Sequence, residues 1–170
     1  VGLAAAAHLL QRGERPLVLE AGDTVGASVL AWGHVRLFSP WAFNVDPAAT
    51  ALLEETGWSA PAADVLPTGR ELVEQYLAPL ARHPRLAPSI RLGTRVLSFS
   101  RPGCDKLKRP GRADAPFVLH VRAADGSEDL IRARAVFDAS GTWPLPNPLG
   151  GSGVPALGEA ALADRIAYGI

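Results

Sequence analysis

The sequence has one cysteine, no excess of charge of either sign and no long apolar run. Cys104 is the only cysteine among 170 residues, which excludes an internal disulfide framework and a cysteine-rich metal site. A reducing, cytoplasmic setting is therefore expected. Seventeen basic and seventeen acidic residues cancel, so the composition does not indicate a nucleic-acid or membrane surface. No apolar stretch approaches the length of a membrane span.

The sequence also lacks a recognisable catalytic motif built from an acid, a base or a nucleophile. Its four histidines are scattered without metal spacing, and His34, in a long loop, has no identifiable acid to orient it. Ser28 and Ser39 lack the strand-to-helix elbow of a hydrolase nucleophile. No residue of the chain is required to act as an acid or a base.

The first twenty residues carry the main signal. They predict a helix over 1–12, a left-handed cap at Gly13 and a short buried strand over Leu17–Leu19 that stops on Glu20. This order is typical of the second half of a dinucleotide-binding βαβ unit, in which an acid ~20 residues after the glycine-rich turn binds the ribose hydroxyls. Gly2 then fits the third glycine of GxGxxG, where the helix packs close to the sheet. A plain structural βαβ unit is the alternative, because this signal is only partial.

A long, irregular stretch follows over 21–47. It is rich in glycine and carries four aromatic residues, Trp32, Phe38, Trp41 and Phe43. Loops of this length are often functional. For any single one of these aromatic side chains, covering the core is the favoured role. The position of the whole group directly after Glu20 is what favours a functional role.

Two helices are predicted beyond this loop. The first spans 47–56, with Asp46 as its N-cap and Gly57 as its stop. The second follows a capping box of Thr68 and Glu71, and Pro79 is expected to kink it or to end its regular part.

Short strands dominate the rest of the sequence. Strands are predicted at Ile90–Leu92 and in an antiparallel meander over about 94–133, with its strands at Thr94–Ser100, Phe117–Ala123 and Asp129–Ala133. A buried strand is then predicted at Ala135–Asp138, followed directly by the small residues Ala139-Ser140-Gly141-Thr142. In α/β sheets such an arrangement brings backbone amides next to a cofactor.

The order of these pieces resembles the FAD-binding half of two-dinucleotide-domain flavoproteins, most of all the flavin-containing monooxygenases and the FAD-dependent oxidoreductases around them. The resemblance spans nearly the whole chain, and it departs from the family where Gly-Ala-Ser replaces the frequent paired glycines and where Ser140 replaces the usual threonine. The shared features are Gly2, Glu20, the Gly26-Ala27-Ser28 turn before Trp32, Ser39-Pro40, Leu66-Pro67-Thr68, Thr94-Arg95-Val96 and Ala139-Ser140-Gly141-Thr142.

The resemblance implies a role for each site residue. Gly2 would lie beside the FAD pyrophosphate, Glu20 would accept hydrogen bonds from the adenosine ribose, and Val96 would present its backbone to the adenine edge. Core packing would also explain Val96, and an ordinary solvated carboxylate would explain Glu20. Near the rest of the cofactor the resemblance places Trp32 and Ser39-Pro40, which would approach the flavin, and Ser140 and Gly141.

The predicted fold class is α/β: a Rossmann-like FAD-binding domain with an inserted antiparallel meander, lacking its first strand and first two motif glycines. Residues 1–153 would form part of this domain, and residues 154–170 a linker to an NAD(P)-binding domain outside the sequence. The chain is accordingly expected to be part of a longer protein.

The implied function is that of an FAD-dependent oxidoreductase, a flavin monooxygenase that uses NADPH or NADH on a small-molecule substrate. Alternatives are a nicotinamide-dependent dehydrogenase, a thioredoxin-reductase-like flavoprotein and a non-enzymatic nucleotide-binding remnant. The glutathione-reductase type is excluded, because residues 21–47 contain no cysteine.

Overall fold

The computed structural model describes residues 1–104, 107 and 110–169. The chain divides into two compact units, Val1–Ala139 and Ser140–Ile170. The division of the chain that the sequence predicts at residue 153 stays a prediction. Among the described residues, no helix combines the length and apolar character needed to cross a bilayer.

The first unit mixes helices and short strands. Its helices are α1 (Gly2–Gln11), α2 (Ala27–Leu30), α3 (Trp41–Asn44), α4 (Pro47–Glu54), α5 (Gly69–Leu72), a π-helical turn (Val73–Leu77), α6 (Ala78–Arg82) and a 3-10 turn (Ala87–Ser89). Its strands are β1 (Val18–Leu19), β2 (Ile90–Arg91), β3 (Thr94–Ser100), β4 (Phe117–Ala123) and β5 (Glu128–Ala133). This mixture confirms the predicted α/β class.

The strands form two sheets of different kinds. β1 and β2 are parallel, with Val18 opposite Ile90, and β1 is half-buried rather than fully buried as predicted. β3, β4 and β5 form an antiparallel sheet in that order, and their bounds lie within one residue of the prediction. Gly126 has a φ of 86° in the turn before β5, where the sequence predicts a turn at Asp125-Gly126.

The core of this unit lies between α1, α4 and the helical segment 69–82. Ala7 of α1 and Ala49 of α4 are both fully buried, and their small side chains allow the two helices to approach closely. The large buried side chains in the same cluster are Trp41, Leu52, Leu53, Tyr76, Leu80 and Leu86. The cluster therefore fixes the helices behind β1 and β2.

Both predicted helix starts are confirmed. The Asp46 carboxylate accepts hydrogen bonds from the N–H groups of Ala48 and Ala49 at 2.9 and 3.1 Å. The Thr68 hydroxyl accepts from the Glu71 N–H at 3.2 Å, and the Glu71 carboxylate accepts from the Thr68 N–H at 2.7 Å. Local hydrogen-bond chemistry sets both starts, which is why the sequence was sufficient.

The buried strand predicted at Ala135–Asp138 is wrong. Within the part of the chain that the structure describes, residues 135–138 belong to no strand, and Phe137 is 67% exposed. An apolar run becomes a buried strand only when neighbouring strands and a covering layer accompany it. The described residues supply neither on this segment.

The stretch 21–47 is less irregular than predicted. It contains the one-turn helices α2 and α3 and the start of α4. Trp41 is 3% exposed and belongs to the core cluster, whereas Phe38 is 99% exposed. The aromatic residues of this stretch thus have different environments, and Trp41 is a packing residue.

A buried carboxylate links several segments of the second unit. Glu159 is buried and accepts hydrogen bonds from the N–H groups of Leu149 and Ala156, at 3.0 and 2.7 Å, and from the Tyr168 hydroxyl. The Tyr168 hydroxyl and these N–H groups lower the pKa of Glu159 below its usual 4.5. Short 3-10 turns at Gly151–Gly153 and Ala160–Arg165 complete this unit.

Candidate functional site

Glu20 lies where the two sheets of the first unit come together. It follows β1, and its N–H donates to the carbonyl of Arg91 at 3.0 Å. Its own carbonyl accepts from the N–H of Thr94, the first residue of β3, at 2.8 Å. Both main-chain groups of Glu20 are therefore fixed, and its side chain starts from a rigid backbone.

Only one oxygen of the Glu20 carboxylate is hydrogen-bonded within the described part of the chain. One oxygen, Oε1, accepts a hydrogen bond from the Gly22 N–H at 2.8 Å, and the side chain is half-buried. For the other oxygen, Oε2, the described residues contain no hydrogen-bond donor within reach. A carboxylate with one oxygen anchored and the other open can accept hydrogen bonds from a ligand hydroxyl.

Val96 lies close to Glu20 through β3. It is two residues beyond Thr94, about 7 Å along a strand. It pairs with Val121 of β4, and the register shifts between Val96 and Ser98, which marks an irregularity in the strand. Val96 is 38% exposed, so core packing does not account for it.

Gly2 begins α1, and the first turn of this helix has no side-chain cap from Val1. The N–H groups of an uncapped first turn can bind an anion. A β-carbon added to Gly2 would lie 3.5 Å from the Ala139 Cβ, an ordinary contact. Among the described neighbours, the close packing predicted to require glycine here is therefore not seen.

Trp32 is half-buried against the start of α5. A β-carbon added to Gly69 would lie only 2.8 Å from Cε3 and Cζ3 of the Trp32 ring. Glycine at this position is thus required by the indole. Sequence reasoning did not single out Gly69. Glycine is a poor helix former, so its presence in the first turn of a capping-box helix could have indicated a close contact there.

The Ser39-Pro40 segment is held by Asn44. The side-chain N–H groups of Asn44 donate to the carbonyls of Ser39 and Pro40 at 2.8 and 2.9 Å, and the Ser39 hydroxyl donates to the Asn44 side-chain oxygen at 3.1 Å. Phe38 and Phe43 flank this turn and are largely exposed. Sequence reasoning missed Asn44, because no sequence pattern identifies the two main-chain carbonyls to which it donates.

Ser140 and Gly141 begin the second unit. Gly141 has a φ of 68°, a left-handed conformation that favours glycine. Their predicted approach to the cofactor stays a prediction. The structure does bring together Glu20, Gly22, Thr94 and, along the same strand, Val96.

The histidines and acids of the described residues do not make a metal centre. No group of three or more His, Cys, Asp or Glu side chains is arranged there to hold a metal ion. His34 is exposed. The candidate site is consequently one of main-chain groups and a single carboxylate.

Neither a protein-family model nor a curated protein matches the chain. Among solved structures, it is similar to the bacillithiol disulfide reductase Bdr (YpdA) from Bacillus cereus, with 22% identity and a TM-score of 0.58 over 88% of this chain. It is also similar to OTEMO in a complex with FAD and NADP, with 20% identity and a TM-score of 0.58 over 91% of this chain. The chain spans 39% and 25% of those two proteins. The chain therefore shares one fold with a part of each of these two proteins.

Proposed function

We propose that the chain forms most of the FAD-binding domain of an FAD-dependent oxidoreductase, with the antiparallel sheet of 94–133 as an insertion in that domain. The Glu20 carboxylate is the observation that carries the proposal. Its Oε1 is anchored by Gly22 at 2.8 Å, its Oε2 has no donor among the described residues, and β3 starts directly beside it. The fold likeness to a protein solved with FAD supports the same cofactor.

The residues present fit the adenosine half of FAD. Glu20 would accept hydrogen bonds from the ribose hydroxyls, and the uncapped first turn at Gly2 would donate N–H groups to the pyrophosphate. Val96 would offer its main chain to the adenine edge from the irregular part of β3. Glu20 would contribute its carboxylate, and Gly2 and Val96 would contribute main-chain groups. These contacts would bind and orient the cofactor without taking part in its chemistry.

The flavin half would lie toward Trp32 and Ser39-Pro40. FAD supplies the redox chemistry when bound, by taking a hydride from a reduced nicotinamide and passing electrons on. The chain's own contribution there would be steric. The Trp32 ring packs on the Gly69 backbone. The Asn44 side chain donates hydrogen bonds to the carbonyls of Ser39 and Pro40 and so stabilises that turn. The cofactor role that the resemblance implies for Ser140 and Gly141 stays a prediction from the sequence.

Within this class we favour a flavin monooxygenase that uses NADPH or NADH on a small-molecule substrate in the cytoplasm. The stretch 21–47 contains no cysteine, so the chain cannot place a redox cysteine pair after the ribose-binding acid. The exposed Phe38 and Phe43 beside Ser39-Pro40 would offer an apolar surface. These features support oxygen, rather than a disulfide, as the electron acceptor.

A disulfide reductase is the second candidate, because one of the similar solved structures is such an enzyme. It would require a pair of thiols outside this chain, as in the thioredoxin-reductase type. A nicotinamide-dependent dehydrogenase is disfavoured by the antiparallel sheet, where regular βα repeats would be expected. Flavin absorbance of the purified protein separates both flavoprotein candidates from the dehydrogenase and from a non-enzymatic nucleotide-binding remnant.

The direct test is Glu20→Ala in the whole protein. Loss of hydrogen bonds to a charged group should weaken FAD binding by about 1–3 kcal/mol, measured by fluorescence titration and by FAD retention in gel filtration. Glu54→Ala is the matched control, because Glu54 is an exposed acid at the end of α4. FAD retention equal in the two variants would contradict the assignment.

A further inference from the structure

The helical segment behind the candidate site contacts the loop that follows Glu20. Gly26 has a φ of 73°, which L side chains rarely adopt. A β-carbon added there would lie 2.9 Å from Val73 Cγ2 and 3.3 Å from Leu77 Cδ1. Val73 and Leu77 are the first and last residues of the π-helical turn, and Val73 is buried. These two side chains therefore pack directly on the Gly26 backbone.

The loop is equally close-packed against its own beginning. A β-carbon added to Gly22 would lie 2.5 Å from the Ala27 Cβ, which means that Ala27 occupies the space beside the Gly22 backbone. The N–H of Gly22 donates to Glu20 Oε1 at 2.8 Å. A shift of Ala27 would consequently move the donor that orients the carboxylate.

We propose that Val73 and Leu77 are positioning residues for the ribose-binding carboxylate of Glu20. They pack on Gly26, the next residue Ala27 packs on Gly22, and the Gly22 N–H holds Oε1 while Oε2 has no donor among the described residues. Every step in this series is a direct contact or a covalent neighbour. The proposal rests on the proposed function, since it needs the adenosine ribose of FAD as the group that Glu20 binds.

The test uses Gly26→Ala in the whole protein and two ligands. One ligand is FAD, and the other is an FAD analogue whose adenosine ribose lacks the 2′ and 3′ hydroxyls. The added methyl group should push against Val73 and displace the loop. The Kd for FAD should then rise about tenfold, on the scale of a lost hydrogen bond to a charged group. The Kd for the analogue should change much less, so the preference for FAD over the analogue should fall.

Gly13→Ala is the matched control. Gly13 has the same φ of 73°, but a β-carbon there would have no atom within 4 Å, so this variant carries the backbone strain without the contact. Its preference for FAD should equal that of the unsubstituted protein. Adding Val73→Ala to Gly26→Ala removes the opposing methyl groups and should restore part of the preference. Where Gly26→Ala does not fold, Val73→Ala alone should lower the preference, because the loop loses its support.

The outcomes separate the two levels of the proposal. If Glu20→Ala leaves the preference for FAD unchanged, the ribose assignment itself is wrong, and the positioning role is overturned with it. If Glu20→Ala abolishes the preference while Gly26→Ala and Val73→Ala both retain it, only the positioning role is overturned. An equal rise of both Kd values in Gly26→Ala also overturns it, since general destabilisation does not distinguish the two ligands.

Discussion

The indole N–H of Trp58 donates a hydrogen bond to the main-chain carbonyl of Gln75 at 2.7 Å. In a regular α-helix this carbonyl would accept from the N–H of residue 79, but residue 79 is proline and has none. The sequence predicts that Pro79 kinks this helix or ends its regular part, and the helix passes through a π-helical turn over Val73–Leu77 before α6. Trp58 thus supplies the donor that Pro79 lacks.

Trp58→Phe should lower the free energy of unfolding by about 1 kcal/mol, because it removes this donor and keeps most of the apolar ring. Urea denaturation measures the effect. In a Pro79→Ala background the restored N–H can bond the Gln75 carbonyl, so there Trp58→Phe should cost less. Equal costs in the two backgrounds would show that the Trp58 N–H does not compensate for Pro79.

Asp46 should make a pH-dependent contribution to stability. Burial raises its pKa, but the hydrogen bond from the Ala49 N–H and the nearby His8 ring, 3.1 Å away, outweigh burial, and the pKa lies below the usual 3.8. A lowered pKa stabilises the fold above about pH 3.8, and this contribution is lost as the pH falls through and below that value. Asp46→Ala should cost about 1–2 kcal/mol at pH 7. Asp46→Asn keeps a capping oxygen, so it should cost less there, and its stability should vary less between pH 5 and pH 3.

Gly69→Ala should destabilise the first unit by about 1–3 kcal/mol, since the new methyl group would overlap the Trp32 ring. The emission spectrum of the tryptophans should shift as the indole moves. Gly151→Ala is the control, because a β-carbon there would meet no atom within 4 Å. Similar melting temperatures for the two variants would contradict the close contact.

Cys104→Ser should leave turnover of the whole protein unchanged. Cys104 is the only cysteine of the chain, and a dithiol relay needs two thiols within bonding distance. NADPH oxidation, oxygen uptake and reduction of a disulfide dye are the three readouts. A large loss of activity, or dye reduction without oxygen uptake, would favour the disulfide reductase over the monooxygenase.

Local chemistry explains which parts of the fold were predictable. The caps at Asp46 and Thr68 depend on side chains within three residues of their partners, so the sequence contains the whole interaction. The turn at Gly126 is of the same kind. The segment 135–138 could not be predicted in this way. Its apolar side chains predict burial, but the segment is largely exposed in the structure.

The candidate site divides in the same way. The spacing from Gly2 to Glu20 is a property of the sequence, and it was sufficient to single out Glu20 as a candidate. The Gly22 N–H, which donates to the carboxylate, is only two residues away, whereas the Thr94 N–H and the Arg91 carbonyl, which bond the main chain of Glu20, are brought there by the tertiary fold and were not predictable. Trp41 has the core-covering role expected for a single aromatic of this stretch, but the sequence did not distinguish it from the exposed Phe38, since a loop aromatic and a core aromatic have the same sequence pattern.

The short parallel pair of β1 and β2 also has a consequence for the order of folding. Val18 meets Ile90 only after a long intervening segment has closed, whereas β3, β4 and β5 are joined as successive hairpins. Long-range parallel pairing carries a larger loop-closure entropy and is slow to form. We therefore expect pulse-labelled hydrogen exchange to protect the amides of β4 early and the amide of Glu20 late. The backbone at Glu20 would then be among the last parts of the first unit to become rigid.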